Sequence, residues 1–243
     1  MADAVQGGPP PAVALRNVVK NFQSLRPLRI RHLDIRHDHA LGLLGFDEPM
    51  AEVFVNLLTA ASLPDEGDVR VFGEPTASVS SHATWMALLD RFGLVSRRSV
   101  LLDQLTAEQN LAVPFTLAVE SLSEDVRRDV RALADEVGLP SSHLRRPVTE
   151  LPAPSIMRLR LGRALALDPQ VLLAEHPNAP LTSSEAAAFA ADVTRIRKGR
   201  GLASVVLTAD PRFAEAIATD VLTLQPATGE LKAEESAWKR WFR

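Results

Sequence analysis

The fold is decided by residues 151–182, which read LPAPSIMRLRLGRALALDPQVLLAEHPNAPLT. Pro152 and Pro154 are expected to keep a helix from beginning before Ser155, because a proline ring does not fit a helix interior. Beyond Ser155, apolar or small residues recur at helical spacing until an Asp-Pro pair at 168–169 interrupts them. The first half of the stretch therefore predicts one helix.

A strand follows this helix directly. Residues 171–174 read VLLA and include no polar residue, which is typical of a strand buried on both faces of a parallel sheet. Glu175 and His176 come next, at the carboxyl end of the strand. Since open α/β sheets bind ligands at that end of their strands, these two residues are the first candidates for a functional site.

The order of these elements resembles the ATP-binding cassette (ABC) ATPases, whose pattern is LSGGQ, xxR, a helix ending in ARAL, Asn or Asp with Pro, four apolar residues, and DEP. The residues that match this pattern are Leu151, Arg158, Arg163, Ala164, Leu165, Asp168, Pro169, the apolar run at 171–174 and Pro177. The resemblance implies an α/β, P-loop NTPase-like ABC ATPase fold. It has a mainly parallel sheet core, an N-terminal antiparallel β part and a helical subdomain.

The residues that carry the family's chemistry are different here. The signature Ser-Gly-Gly is Pro-Ala-Pro at 152–154, and Ser155 ends the motif. Glu175 stands where the family has the Walker B aspartate, and His176 where it has the glutamate that polarises the attacking water. Ala209 replaces the histidine that contacts the γ-phosphate. The resemblance therefore supplies positional equivalents only, and we expect neither a catalytic residue nor a metal site.

The phosphate-binding loop is altered as well. Residues 40–44, ALGLL, predict another buried strand, and Gly45 and an apolar helix follow it. A P-loop in this place reads G-x-x-x-x-G-K-[ST]: the glycines let backbone N–H groups wrap the phosphates, the lysine neutralises charge, and the hydroxyl residue holds magnesium. Residues 45–52 read GFDEPMAE instead, so Gly45 remains, Ala51 replaces the lysine and Glu52 the hydroxyl residue.

Acidic side chains in this loop oppose a triphosphate. Asp47, Glu48 and Glu52 would each face ATP, and a close like-charge contact costs about 1 kcal/mol in water and about 4 kcal/mol at an effective dielectric constant near 20. Pro49 has no N–H to donate, and the acidic residues themselves satisfy the helix N-terminus. We therefore expect a loop that stays empty and no bound cofactor.

Two more positions of the family's nucleotide site are affected. Phe22 lies where the family has an aromatic residue that stacks on adenine, but it is equally interpreted as a hydrophobe that closes a turn. Arg97 replaces the glutamine that links the nucleotide to the membrane partner, and Arg98 follows it. The two arginines are interpreted either as part of a solvated loop or, if ATP binds, as a source of positive charge.

The next segment matches the family closely. Residues 101–117 read LLDQLTAEQNLAVPFTL, in which Thr106 is predicted to cap a helix with Gln109 as its capping-box partner. An amphipathic helix at about 123–137 follows, and the helical subdomain is expected at about 100–160. In ABC proteins the groove beside this subdomain receives a helix of the membrane subunit. The chain is thus expected to keep a docking surface, although ordinary packing also explains the segment.

Periodicity predicts the remaining elements. They are half-buried strands at 13–18 and 28–35, a hairpin after residue 63, a helix at 82–92, strands at 93–95, 203–208 and 221–224, helices at 184–198 and 213–218, and a turn at 226–229.

Composition excludes several classes. The 243 residues carry a net charge of −3 and no cysteine, which excludes disulfides and thiolate metal sites and gives no sign of nucleic-acid binding. Neither a signal peptide nor an apolar run of about 20 residues is present, so we expect a soluble, cytoplasmic chain that lies on the inner face of the membrane through a partner.

The expected domain organisation has three parts. Residues 1–12 are rich in Gly, Pro and Ala and are expected to form a disordered tail. Residues 13–232 are expected to form the ABC ATPase-like domain, and residues 233–243 a C-terminal tail. Its last residues, WKRWFR, are interpreted as a docking tag or as a short packed helix.

Three functions are compatible with the sequence. The first is a pseudo-ATPase that is a structural or regulatory part of a membrane transport assembly; it binds a membrane-spanning ABC permease and forms a homodimer, or a heterodimer with another ABC ATPase subunit. Within the family the segment at 101–117 is most similar to ATPases of lipid or lipoprotein trafficking systems. The second is a divergent ATPase, with ATP and magnesium as cofactors, Glu175 as metal ligand and His176 as general base. The third is a soluble interaction module unrelated to transport.

Overall fold

The computed structural model describes residues 10–233 and contains two β-sheets. The smaller sheet is antiparallel, with strand order β2-β1-β4-β5. Its strands are β1 (Val13–Lys20), β2 (Leu28–Ile35), β4 (Glu66–Val71) and β5 (Glu74–Pro75). Buried and exposed residues largely alternate along β2, because one face of this sheet covers the core while the other faces solvent.

The larger sheet is mainly parallel, with strand order β10-β9-β3-β8-β7-β6. Its strands are β3 (Ala40–Leu44), β6 (Phe92–Val95), β7 (Val171–Glu175), β8 (Ala203–Leu207), β9 (Asp220–Gln225) and β10 (Glu230–Ala233). Every pair is parallel except β9 with β10. All residues of β3, β7 and β8 are buried, as their apolar sequences predict. The predicted fold class is confirmed.

Seven helices of residues 10–233 cover the two sheets. They are α1 (Glu48–Leu58), α2 (His82–Leu89), α3 (Ala107–Ala112), α4 (Glu124–Glu136), α5 (Ala153–Leu165), α6 (Ser183–Arg200) and α7 (Pro211–Ile217). Short 3₁₀ turns are found at Thr76–Ser78, Ser141–His143 and Val148–Glu150.

The central strands separate two hydrophobic clusters. In β7, Val171 and Leu173 contribute to a cluster with the antiparallel sheet and α1, whereas Leu172 and Ala174 contribute to a second cluster with α3 to α7. This alternation follows from the two-residue period of a strand. Both faces of β7 are therefore covered, and its carboxyl end is the part left accessible.

The turn before α3 is organised by one buried side chain. Asn110 is fully buried; its Oδ1 accepts a hydrogen bond from the amide of Leu102 at 2.8 Å. Its Nδ2 donates to the carbonyls of Leu102 and Thr106, both at 3.0 Å, and of Leu105 at 3.4 Å. The predicted capping box of Thr106 and Gln109 is present. Polar side chains thus fix where α3 begins.

The structure corrects several predicted boundaries. Helix α5 begins at Ala153 rather than after Ser155, because Pro154 lies in the first turn, where the missing N–H has no helical partner to lose. Helix α2 ends at Leu89 rather than at residue 92, because Phe92 belongs to β6. Strand β10 was not predicted; it pairs with β9 beyond the predicted turn at 226–229.

The chain ends are described only in part. Ala12, which we assigned to the N-terminal tail, is fully buried, and its carbonyl accepts a hydrogen bond from Phe72 at 2.7 Å. Residues 1–9 of the predicted tail and the C-terminal WKRWFR lie outside the described residues.

We predict that Asn110→Ala lowers the free energy of unfolding by about 2–3 kcal/mol, because backbone groups of Leu102, Leu105 and Thr106 lose the hydrogen-bond partner that the fully buried Asn110 provides. Urea denaturation measures this loss. Gln104→Ala is the control, since Gln104 is exposed and the change should cost under about 0.5 kcal/mol. Equal effects of the two substitutions would contradict the role assigned to Asn110.

Candidate functional site

A cleft of about 240 Å³ opens beside the carboxyl ends of β6 and β7, next to the N-terminus of α1. This is the edge at which parallel sheets bind ligands. The residues that line it are Glu48, Pro49, Glu52, Ser96, Arg97, Arg98, Glu175 and His176. Four of the residues that we selected from the sequence, Glu52, Arg97, Glu175 and His176, are therefore brought together.

Glu175 lies at the centre of the cleft's contacts. It is the last residue of β7, and its side chain is only 8% exposed. Val95 pairs with Ala174, so the next residue of the neighbouring strand, Ser96, lies beside Glu175. The hydroxyl of Ser96 donates to Glu175 Oε2 at 2.5 Å. A charged carboxylate this well buried needs a cation to balance it.

Arg98 supplies that cation. Its Nε donates to Glu175 Oε2 at 3.1 Å and its Nη2 to Glu175 Oε1, so the guanidinium binds the carboxylate in a bidentate geometry. Its Nη1 lies 3.4 Å from Glu52 Oε1 and 3.3 Å from Asn56 Oδ1, both on α1. The hydrogen bond to Glu175 raises the pKa of the Arg98 guanidinium above its ordinary value.

The two arginines thus differ from each other. Arg97 is exposed and makes one ion pair, with Glu48 at 3.3 Å, as expected of a solvated loop. That expectation is wrong for Arg98, which joins β7 to α1. Arg98 does not project freely into the cleft either, because Glu175 and Glu52 already hold its guanidinium.

The altered phosphate loop is shaped by its own side chains. Gly45 has φ +83°, and a Cβ there would lie 3.0 Å from the carbonyl oxygen of Leu224, so the close approach of β9 accounts for this glycine. The ring of Phe46 is buried edge-to-face against Phe54, with centroids 5.4 Å apart. The loop is therefore drawn onto the core.

Helix α1 begins where the loop would wrap phosphate. Asp47 caps it: Oδ1 accepts from the amide of Met50 at 2.9 Å, and its carbonyl accepts from the amide of Ala51 at 2.8 Å. Pro49 contributes no N–H. The methyl group of Ala51 is buried in the core, in the place of the family's lysine. The residues present do not fit a phosphate group.

His176 has an unusual backbone. Its φ is +44°, in the left-handed region, and its amide donates to the carbonyl of Leu207 at 2.8 Å. Among residues 10–233 its buried Nε2 has no hydrogen-bond partner. It borders the cleft but makes no described polar contact with the carboxylate of Glu175.

The other predicted positions do not line the cleft. Phe22 is half-buried and packs against the first hydrophobic cluster, as expected of a hydrophobe that closes a turn. Ala209 is exposed after β8 and has no polar side-chain group. Ser155 is buried on α5, where its Oγ lies 2.8 Å from Nδ1 of His143.

Sequence reasoning missed part of this site. It did not assign Ser96, whose role follows only from the pairing of β6 with β7. It named Arg98 without its partner, because residues 98 and 175 lie 77 positions apart in the chain. The one sequence signal for this part of the site was the polar residue Ser96, immediately after β6.

Two absences were found within residues 10–233. No group of three or more His, Asp or Glu side chains there is arranged to hold a metal ion. No helix of that part of the chain is long and apolar enough to cross a bilayer.

Comparison with curated proteins identifies related chains. The lipoprotein-releasing system ATP-binding protein LolD 2 of Caulobacter vibrioides is 29% identical over 205 residues, covering 82% of this chain and 88% of that protein. The phosphonates import ATP-binding protein PhnC of Anaeromyxobacter dehalogenans is 32% identical over 207 residues. The methionine import ATP-binding protein MetN of Brucella abortus is 25% identical over 229 residues. The chain belongs to the ABC ATPase family.

Coverage of the relatives is uneven, and this ABC ATPase chain spans 41% of the length of PhnC and 61% of MetN. No family model matches it. Its fold is that of the ATP-binding cassette MJ0796, solved as a dimer bound to ADP and Pi, with TM-score 0.76, 22% identity and coverage of 92% of this chain and 98% of the other. The cbiO1 chain of Clostridium perfringens gives TM-score 0.79 at 16% identity, with coverage of 96% and 92%.

We predict that Arg98→Met lowers the free energy of unfolding of this ABC ATPase chain by about 2–3 kcal/mol. Removal of one partner leaves the buried Glu175 charge uncompensated; the cost is below the roughly 3–5 kcal/mol of a fully buried pair because Arg98 is partly exposed. Urea denaturation measures it. Arg97→Met is the matched control and should cost under about 0.5 kcal/mol. Similar losses in the two variants would contradict the assignment.

Proposed function

We propose that this chain is a catalytically degenerate ABC ATPase subunit that acts as a structural or regulatory component of a membrane transport assembly. The observation that carries the proposal is the ion pair between Arg98 and Glu175, with Glu52 as a second partner. At the positions where the family holds magnesium, the chain has carboxylates bound to its own guanidinium. A metal ion would have to displace the bidentate ion pair of Arg98 to reach these carboxylates.

The backbone of the loop supports the same proposal. A phosphate cradle needs several free N–H groups that converge on one point. The amides of Met50 and Ala51 are engaged by Asp47, and Pro49 has no N–H. The loop retains the turn at Gly45, but these three positions offer no free N–H donor.

The charge balance of the loop argues in the same direction. Asp47 caps α1 and Glu48 lies in its first turn, where negative side chains favour the positive end of the helix dipole, and Glu52 follows one turn later. The helix N-terminus is thereby satisfied without an external anion. A triphosphate would meet like charges there, at a cost of about 1 kcal/mol or more for each close contact.

A divergent ATPase is the second candidate. It is favoured by the position of His176 at the cleft, with an Nε2 that lacks a partner among the described residues. In that case ATP and magnesium are the cofactors, Glu175 the metal ligand and His176 the general base. Against it, both oxygens of Glu175 already accept hydrogen bonds, from Ser96 and Arg98.

The proposed partners follow from the relatives. Several are named as ATP-binding proteins of import or release systems, and MJ0796 was solved as a dimer. We therefore propose a membrane-spanning permease subunit as one partner and a second ABC ATPase subunit, identical or different, as the other. The chain would then act in the cytoplasm, on the inner face of the membrane. Residues 13–232 would form the ABC ATPase-like domain, with the helical subdomain at about 100–160.

The test is calorimetric titration of nucleotide-free protein with ATP and magnesium at physiological salt. We predict no binding heat up to about 1 mM nucleotide, equivalent to a binding free energy weaker than about −4 kcal/mol. The Caulobacter LolD 2 relative, titrated alongside, controls for the conditions. Phosphate release is measured in the same samples for wild type and His176→Ala.

Micromolar ATP binding would contradict the proposal. Phosphate release that His176→Ala abolishes would establish the divergent ATPase instead. If neither the wild-type chain nor His176→Ala releases phosphate, the pseudo-ATPase proposal is supported.

A further inference from the structure

The segment at residues 96–100 makes several hydrogen bonds with neighbouring elements. Ser96 Oγ accepts from the amide of Arg98 at 3.0 Å while it donates to Glu175. Ser99 Oγ donates to the carbonyl of Leu94 at 3.2 Å, and Arg163 donates to the carbonyl of Val100 at 2.5 Å. The segment connects β6 to the turn before α3, so its position sets where that turn begins.

Arg98 is the point at which three separate elements meet. It comes from the segment itself, Glu175 from the end of β7, and Glu52 and Asn56 from successive turns of α1. Glu175 is buried, whereas the Arg98 side chain is about one-third exposed. The guanidinium therefore lies on the solvent side of Glu175 and joins the carboxyl end of β7 to α1.

The contacts continue toward α3. Leu101 is buried in the second hydrophobic cluster, and Leu102 is hydrogen-bonded to Asn110 through both its N–H and its carbonyl. Between Arg98 and α3 the chain therefore has anchors at 98, 100, 101 and 102. A continuous run of contacts therefore leads from Arg98 to the start of α3.

We infer that Arg98 is a built-in cationic lock that fixes residues 96–102, and with them the start of α3, in one conformation without any ligand. The lock works by ionic and hydrogen-bond contacts that cross from the segment to β7 and α1. It rests on the proposed function, because a ligand-free lock has a role only in a cleft that nucleotide does not fill. The surface around α3 is then presented constantly, rather than in response to ATP.

Hydrogen exchange followed by mass spectrometry tests the lock. In Arg98→Met, amides of residues 97–106 should exchange about tenfold faster than in wild type, while amides of α6 that exchange by local opening rather than by global unfolding should change by less than about twofold. Arg98→Lys keeps the positive charge but cannot bind the carboxylate in a bidentate geometry, so residues 97–106 should exchange at an intermediate rate. This second variant keeps the test valid if Arg98→Met does not fold.

Arg158→Met is the matched control. It breaks a comparably half-buried ion pair, with Asp192 at 2.9 Å, between α5 and α6, and it should leave exchange at 97–106 unchanged. The lock is refuted if the two arginine variants accelerate exchange equally at 97–106, or if Arg98→Met and Arg98→Lys leave that segment at the wild-type rate.

A separate arm distinguishes this inference from the proposed function. Hydrogen exchange of the wild-type protein is measured with and without magnesium and ATP at about 1 mM. At this concentration most sites stay empty if the Kd for ATP is above about 1 mM. Protection of residues 45–52 by ATP would overturn the pseudo-ATPase proposal. The lock itself is decided by the Arg98 variants alone, since they are compared without nucleotide.

Discussion

The structure of the cleft depends on one buried negative charge. Glu175 ends a strand whose two faces are covered, and a carboxylate in that position requires a positive partner because burial of an isolated charge is costly. In the ABC pattern the acidic residue at this strand end serves a bound metal and nucleotide. Here Arg98 meets the requirement from within the chain, and Ser96 and Glu52 complete the arrangement.

In the degenerate subunit that we propose, an internal side chain replaces the ligand, which explains why the rest of the loop has changed with it. In a loop that holds no phosphate, the N–H groups at the start of α1 need other acceptors, and Asp47 provides them. The lysine position becomes a buried methyl group, and Phe46 fills space on the core side of the loop. These substitutions agree with each other physically: each stabilises the loop in the absence of a ligand.

The sequence allowed the fold to be predicted because the central strands β3, β7 and β8 are largely apolar and the helix caps are local signals. Residues 171–174 and the Thr106–Gln109 box required no knowledge of distant contacts. Strand β10 was missed because it is only four residues long, ELKA, and it forms by pairing with β9. Arg98 was misjudged for a related reason, since its partner is contributed by another strand, and only the register of β6 on β7 brings them together.

NMR of arginine side chains measures directly whether Arg98 is permanently bound by Glu175. We predict a slowly exchanging Nε–H signal of Arg98, because the donor is held against a buried carboxylate. The signal should disappear in Glu175→Gln and stay in place on addition of magnesium and ATP. A rapidly exchanging Arg98 signal, or one that shifts when ATP is added, would contradict the account.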